Sequence, residues 1–296
     1  MTSPILDPRL YAYRPDLADK ALSGQVKAPR YADGAMARVA AGRLAMFAAP
    51  DLSGPMVSEL RLGEFVDVFE RKDGVAWVQN RSDRYVGYVA EAGLADTVID
   101  PAWRIANLWT YLYPEPTVKS VPIDILPFPG HVAVAGETGD GWTRLTTGGF
   151  IVSSHLEPAT AFHADYAFTA GRLLHAPYLW GGRTALGVDC SGLVQMALEL
   201  ADIDCPRDSD MQQAAFGAAP PSDWRDYPFA RGDLVFFAKP LHVGIMADAS
   251  HLIHADGDIH MRVIAQPLAD AVARRGAITA IGAGESLSLR PPIMQP

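Results

Sequence analysis

The strongest constraint on this chain is an internal repeat. Asp73-Gly74, Trp77, Gly87-Tyr88-Val89 and Leu94 recur in the same order as Asp140-Gly141-Trp142, Gly149-Phe150-Ile151 and Leu156. In both copies a Leu follows seven residues after the Gly of the triplet, and the two glycines lie 62 residues apart. Such a period means that one supersecondary unit is built twice. Around it run short apolar stretches broken by Gly, Asp and Pro, the spacing of small antiparallel sheets. Gly (26) and Pro (23) are abundant without a collagen-like period, which fits turn-rich β structure. Residues 62–70 alternate in part, Arg71-Lys72-Asp73-Gly74 carries the Asp-Gly hairpin signal, and residues 75–79 form the partner strand. A unit of about 60 residues of short strands with a buried Trp predicts a small β-barrel. A different two-lobed β-region is the alternative.

After Pro158 the pattern changes. Residues 159–175 place Phe162, Tyr166, Phe168 and Leu173 at roughly helical spacing, and Pro177 closes the stretch. Residues 190–200 form a second helical pattern. Strands follow at 233–237, 241–246 and 252–254, with Lys239-Pro240 as a turn. Helices followed by antiparallel strands define an α+β domain. The chain divides into a lead-in (1–30) that has room for a short helix, two β-units (31–96 and 97–158), an α+β domain (159–286) and a tail (287–296).

The chemistry concentrates in Tyr178-Leu179-Trp180-Gly181-Gly182 and Val188-Asp189-Cys190-Ser191-Gly192. Asp189 is a good N-cap, so Cys190 falls in the first helical turn. Unpaired N–H groups and the positive dipole end there favour a thiolate and can hold an oxyanion. An inert buried thiol is the other reading of a cysteine at this place. A thiolate needs a base. A hairpin turning at Asp248-Ala249-Ser250 brings positions 242 and 254 opposite one another, since their midpoint is 248. His242 could then take the proton of Cys190 while His254 binds its other ring nitrogen. His131, His155, His163, His175 and His260 read as surface or packed residues. His251 and His254 point to opposite faces of a strand and do not chelate jointly, so no metal and no cofactor is expected.

The balance of 25 basic against 34 acidic residues (net −9) holds no basic run, which argues against nucleic-acid and anionic-membrane partners. No apolar stretch approaches the ~18 residues of a transmembrane helix. Residues 1–7 lack a basic n-region, an apolar core and a cleavage site, and the two cysteines, Cys190 and Cys205, form no disulfide framework. The expectation is a reduced, cytoplasmic protein.

Five blocks then carry a resemblance: Tyr178-x-Trp180-Gly181-Gly182, Asp189-Cys190-Ser191-Gly192, Gly232-Asp233-Leu234-x-Phe236-Phe237, His242-Val243-Gly244-Ile245 and Ile253-His254-Ala255. In this order they resemble the NlpC/p60-type cysteine peptidases of bacterial cell walls, whose fold is a circularly permuted relative of papain. The repeat before them is similar to a tandem pair of bacterial SH3 domains. Together they look like the γ-D-glutamyl-L-diamino-acid peptidases that recycle murein peptides.

The resemblance implies Cys190 as nucleophile, His242 as general base and acid, and His254 as third polar member. It implies Tyr178 near the oxyanion, and Asp189, Ser191 and Ser209 as contacts to the D-Glu of the substrate. It further implies that Glu64 and Tyr85, or Glu59 and Tyr88 in their place, hold a free L-Ala amine. The implied reaction cleaves the bond between γ-D-Glu and lysine or diaminopimelate and releases L-Ala-γ-D-Glu. The rivals are an endopeptidase or amidase acting on intact peptidoglycan, and a wall-peptide-binding module with a dead catalytic domain.

Overall fold

The computed structural model describes residues 6–97, 99–238 and 241–287. The turn at Lys239-Pro240 and the tail beyond Leu287 lie outside the described residues. The chain forms two compact units, residues 1–160 and 161–296.

In the first unit seven strands form one sheet: β1 (Ala35–Val39), β2 (Arg43–Phe47), β3 (Met56–Arg61), β4 (Phe65–Lys72), β5 (Val75–Asn80), β6 (Val86–Ala90) and β7 (Leu94–Ala95). Their order is β3-β2-β6-β5-β4-β1-β7. The hairpin β4–β5 pairs Lys72 with Val75, so Asp73 and Gly74 alone make the turn. Both have positive φ (52° and 79°), the conformation that the Asp-Gly pair supplies for a two-residue hairpin loop. Period-two alternation then separates neighbours on β5. Ala76 and Val78 enter a core with Val39, Met46, Leu60, Val66 and Val89.

Trp77 points the other way. It is 4% exposed and packs with Phe69, Val86, Ala12 and Leu17. The Arg14 guanidinium sits 4.7 Å from its ring centroid and is ion-paired with Glu70. The conspicuous Trp of the first repeat therefore docks the lead-in. That lead-in contains two short parallel strands, Leu17–Asp19 and Arg30–Ala32, and one 3-10 turn, Lys20–Leu22.

The second copy of the repeat builds the same local sequence of elements. Strand β6, the 3-10 turn Glu91–Gly93 and β7 correspond to strand Phe150–Val152, the 3-10 turn Ser153–His155 and strand Leu156–Pro158. Strands Val134–Glu137, Trp142–Leu145 and Phe150–Val152 form a three-stranded sheet. Ile105, Leu126, Val132, Leu145 and Ile151 form a separate core, joined by Leu62.

In the second unit the helices are α1 (Tyr166–Arg172), α2 (Cys190–Glu199), α3 (Ser209–Phe216), α4 (Leu268–Arg275) and the single turn α5 (Gly284–Leu287). The sheet comprises β8 (Leu234–Ala238), β9 (Leu241–Met246), β10 (His251–Asp256), β11 (Arg262–Pro267) and β12 (Ile278–Gly282). It is antiparallel in the order β11-β10-β9-β8-β12. Helix α1 is shorter than residues 159–175. Asp165 caps it by accepting the Phe168 N–H at 2.9 Å, and Phe162 (64% exposed) and Phe168 (62%) face solvent instead of a core. Helix α2 is buried from Cys190 to Leu198 and packs on β9 and β10, which explains its nearly uninterrupted apolar sequence.

Replacing Trp77 with Ala removes the aromatic platform of the lead-in. The expected cost is about 3 kcal/mol, by analogy with other buried aromatic truncations. Residues 6–32 should become the first site of limited proteolysis; an unchanged digestion pattern would count against this docking.

Candidate active site

The site begins at the N-terminus of α2. Asp189 is extended (φ −93°, ψ −179°), and its Oδ1 accepts the Gly192 N–H at 2.7 Å. A Cβ on Gly192 would lie 2.2 Å from the Gly182 carbonyl oxygen, so only glycine lets the 181–182 loop pass this close to the helix. The Gly181 N–H donates to Asp189 Oδ2 at 2.8 Å. Arg207 adds two bonds, Nη1 to Oδ1 at 3.1 Å and Nη2 to Oδ2 at 2.7 Å. The Ser191 hydroxyl donates to Oδ1 at 3.2 Å and accepts from Arg207 Nη1 at 2.9 Å.

The two residues implied as substrate contacts, Asp189 and Ser191, thus lie in one internal network. The Asp189 carboxylate accepts from five internal donors. The Ser191 oxygen is engaged between Asp189 and Arg207. Arg207 itself, 1% exposed, is the residue that sequence reasoning passed over. Its only signal was a lone cation in the block Pro206-Arg207-Asp208-Ser209.

Cys190 is 9% exposed, with the backbone N–H groups of Val243 and Ser191 on the side of its sulfur. Burial, with the Asp189 charge adding to it, pushes the thiol up to about 12, while the two N–H groups and Arg207 pull in the opposite direction. The thiolate expected at a helix start is therefore not the resting state. The favourable N–H contacts are present, but desolvation and a neighbouring carboxylate outweigh them.

His242 on β9 and His254 on β10 do meet, by a register different from the expected one. Ile245 pairs with Ile253 and Met246 with Leu252, so the hairpin midpoint is 249 and not 248. The two histidines are thus diagonal neighbours on one face, within reach of each other's rings. His242 Nε2 lies 2.8 Å from His254 Nδ1, with the rings edge to face at 87°. Both are buried, at 3% and 0% exposure. Burial holds both neutral, His254 at about 3 and His242 well below the usual imidazole range. Val243, whose backbone N–H faces the Cys190 sulfur, follows His242 directly on β9.

Tyr178 lies flat on Gly257, where a Cβ would come within 2.4 Å of its Cζ. Burial, followed by the nearby Cys190 and Asp189, raises its phenol above the ordinary value, so it stays protonated and can donate. Ser209 opens α3, half-buried, with no side-chain partner among the described residues. Gln212 on α3 donates to the Ser191 and Pro206 carbonyls at 2.9 and 2.8 Å. In the first unit, Glu64 (7% exposed) is bound by Arg61, Nη2 to Oε1 at 2.7 Å. Glu59 pairs with Arg43 at 3.3 Å. Tyr85 belongs to the core, and Tyr88 accepts Arg14 Nη1 at 3.3 Å.

Residues 175–275 match the NlpC/P60 family, and residues 46–94 match the bacterial dipeptidyl-peptidase SH3 domain. The chain is 30% identical to dipeptidyl-peptidase 6 of Lysinibacillus sphaericus over 71% of its own length and 83% of the relative's. This chain belongs to the NlpC/P60 family. It is also 26% identical to a γ-D-glutamyl-L-lysine dipeptidyl-peptidase of Bacillus cereus, over 66% of its own length and 65% of the relative's. The crystal structure of an NlpC/P60 family protein from Bacillus cereus shares its fold, with a TM-score of 0.67 at 18% identity, covering 84% of this chain and 99% of that one. The NlpC/P60 match contains Tyr178, Cys190, Ser209, His242 and His254; the SH3 match contains Glu59, Glu64, Tyr85 and Tyr88, and the second repeat copy lies outside it.

Two outcomes follow from this geometry. Arg207→Met leaves the buried Asp189 charge without its guanidinium and should cost about 3–5 kcal/mol, read by urea unfolding. The second concerns pH. An unfolded histidine titrates near 6.5, whereas His254 in the fold binds a proton only near 3. Between these values the unfolded chain holds the extra proton, so His254 lowers stability as pH falls, by about 1.4 kcal/mol per unit. The stability gap between wild type and His254→Asn should therefore move by about 2 kcal/mol against wild type from pH 7 to pH 5.

Proposed function

We propose that this chain is a cysteine peptidase that cleaves murein peptides between γ-D-glutamate and the L-diamino acid, releasing L-Ala-γ-D-Glu. The observation that carries it is the buried thiol of Cys190 at the start of α2, facing the backbone of Val243, the residue after His242, whose ring is held by His254 at 2.8 Å. The relatives named dipeptidyl-peptidases and the SH3 match support the substrate class. On this reading the second repeat copy is a further SH3-like barrel, and the second unit is a permuted papain-like domain. The protein would work in the cytoplasm on free peptides.

Both members of the dyad start uncharged, so proton transfer accompanies attack instead of preceding it. As the sulfur bonds to the γ-carbonyl carbon, the thiol proton passes to a ring nitrogen of His242 that is bare at that moment. Negative charge gathers on the former carbonyl oxygen, where the Tyr178 phenol and N–H groups at the start of α2 donate. Collapse to the thioester breaks the C–N bond, and His242 gives its proton to the departing amine. A water molecule, deprotonated by His242, then hydrolyses the thioester and returns the thiol.

The test is incubation with L-Ala-γ-D-Glu-L-Lys and its diaminopimelate counterpart, with products read by mass spectrometry. Release of L-Ala-γ-D-Glu is expected, with a loss of about a thousandfold or more in Cys190→Ala. Acetylating the N-terminal amine should abolish turnover. Equal rates on blocked and free peptides, or preferential release from intact sacculi, would replace this reading with a wall endopeptidase.

A further inference from the structure

The hydrogen-bond chain behind the histidines continues beyond them and has a direction. Arg274 Nη2 donates to Gln266 Oε1 at 2.7 Å. Guanidinium groups only donate, so this bond orients the amide and leaves Gln266 Nε2 to face His254 Nε2 at 2.9 Å. An amide nitrogen also only donates, so His254 Nε2 is the acceptor and its proton sits on Nδ1. That N–H donates to His242 Nε2 at 2.8 Å, which leaves the proton of neutral His242 on Nδ1.

Position and packing make the orientation durable. Gln266 on β11 pairs with Leu252, so it lies on the diagonal of His254, which pairs with Ile264. Arg274 is anchored on α4 by Asp256, whose fully buried carboxylate also takes Arg275 and His260 Nδ1 at 2.6 Å. The other charged groups around the dyad are Asp189 and Arg207 beside Cys190. Burial and the Arg274 and Arg275 charges keep both histidines neutral.

We propose that Gln266, locked by Arg274, is a positioning residue that sets the tautomers of His254 and His242 and holds the Cys190–His242 dyad uncharged at rest. While this chain stands, the lone pair of His242 is committed to His254, and its other nitrogen already carries a proton. His242 receives the thiol proton only when the chain reverses: the His254 Nδ1 proton moves to His242 Nε2, the His242 Nδ1 proton leaves to solvent, and His254 takes one proton from solvent on Nε2, where the turned Gln266 amide presents its oxygen. The catalytic consequence rests on the cysteine-peptidase reading; the tautomers rest on geometry alone.

The tautomers are read directly by nitrogen NMR of the histidine-labelled full-length protein at pH 7, with His254→Asn for assignment. His254 is expected to be protonated on Nδ1 and bare on Nε2; a proton on Nε2 overturns the proposal. The second measurement is alkylation of Cys190 by iodoacetamide across pH, read by mass spectrometry. In Gln266→Glu the carboxylate accepts from His254 Nε2, which reverses the chain. Alkylation at pH 7 should rise about tenfold, the equivalent of one pH unit in thiol acidity. If that variant does not fold, Arg274→Met frees the amide to turn and should act in the same direction. A folded variant with a wild-type alkylation profile overturns the proposal. Neither readout uses a peptide, so failure of the murein substrate with these titrations as expected would count against the substrate reading alone.

Discussion

The ion pair between Asp189 and Arg207 is the interaction on which the site depends. Both groups are buried, and the pair joins three pieces of chain: the 181–182 loop, the start of α2 with Ser191, and the segment leading into α3. A buried charge pair of this kind adds little net stability compared with apolar packing, yet losing either partner is costly. Its effect is geometric. It sets where the first turn of α2 begins, and therefore where the Cys190 sulfur meets the Val243 N–H. It also has an electrostatic consequence. The Asp189 charge that caps the helix adds to the burial that keeps the neighbouring thiol protonated.

The same economy of charge governs the histidines. His242 and His254 lie on the inner face of the sheet, against α2, where an imidazolium would be expensive. Behind them Asp256 gathers Arg274, Arg275 and His260, and the two α4 cations still disfavour an imidazolium at the dyad. The site is thus a row of neutral hydrogen-bonding groups inside a ring of paired ions. Proton position within that row, more than net charge, distinguishes one state from another.

Much of this was legible in the chain. The Asp73-Gly74 hairpin was readable because a two-residue loop demands positive φ at both positions, and few residue pairs supply it. The start of α2 was readable because Asp followed by an apolar run is a local capping signal. Strands β8 and β9 were readable from their apolar runs. Other elements failed for identifiable reasons. The hairpin midpoint at 249 follows from how the Asp248 carboxylate organises the turn, accepting from the Ser250 and His251 N–H groups, and a one-residue slip is invisible to pattern. Helix α1 seemed longer because Phe162 and Phe168 mimic a helical period while facing water. Arg207 carried only the signal of a lone cation and Gln266 none, since their partners lie 18 and 12 residues away.

By itself, then, the sequence determined the local conformations and the identities of the reacting groups: a repeated β-unit, a capped helix with a thiol in its first turn, and two histidines on one hairpin. These rest on short-range rules, in which a residue and its near neighbours contain the whole cause. Only the tertiary structure decided the protonation of those groups and the fate of Asp189 and Ser191. Desolvation and hydrogen-bond direction depend on everything that surrounds a side chain, and those surroundings are assembled from segments that are distant in sequence.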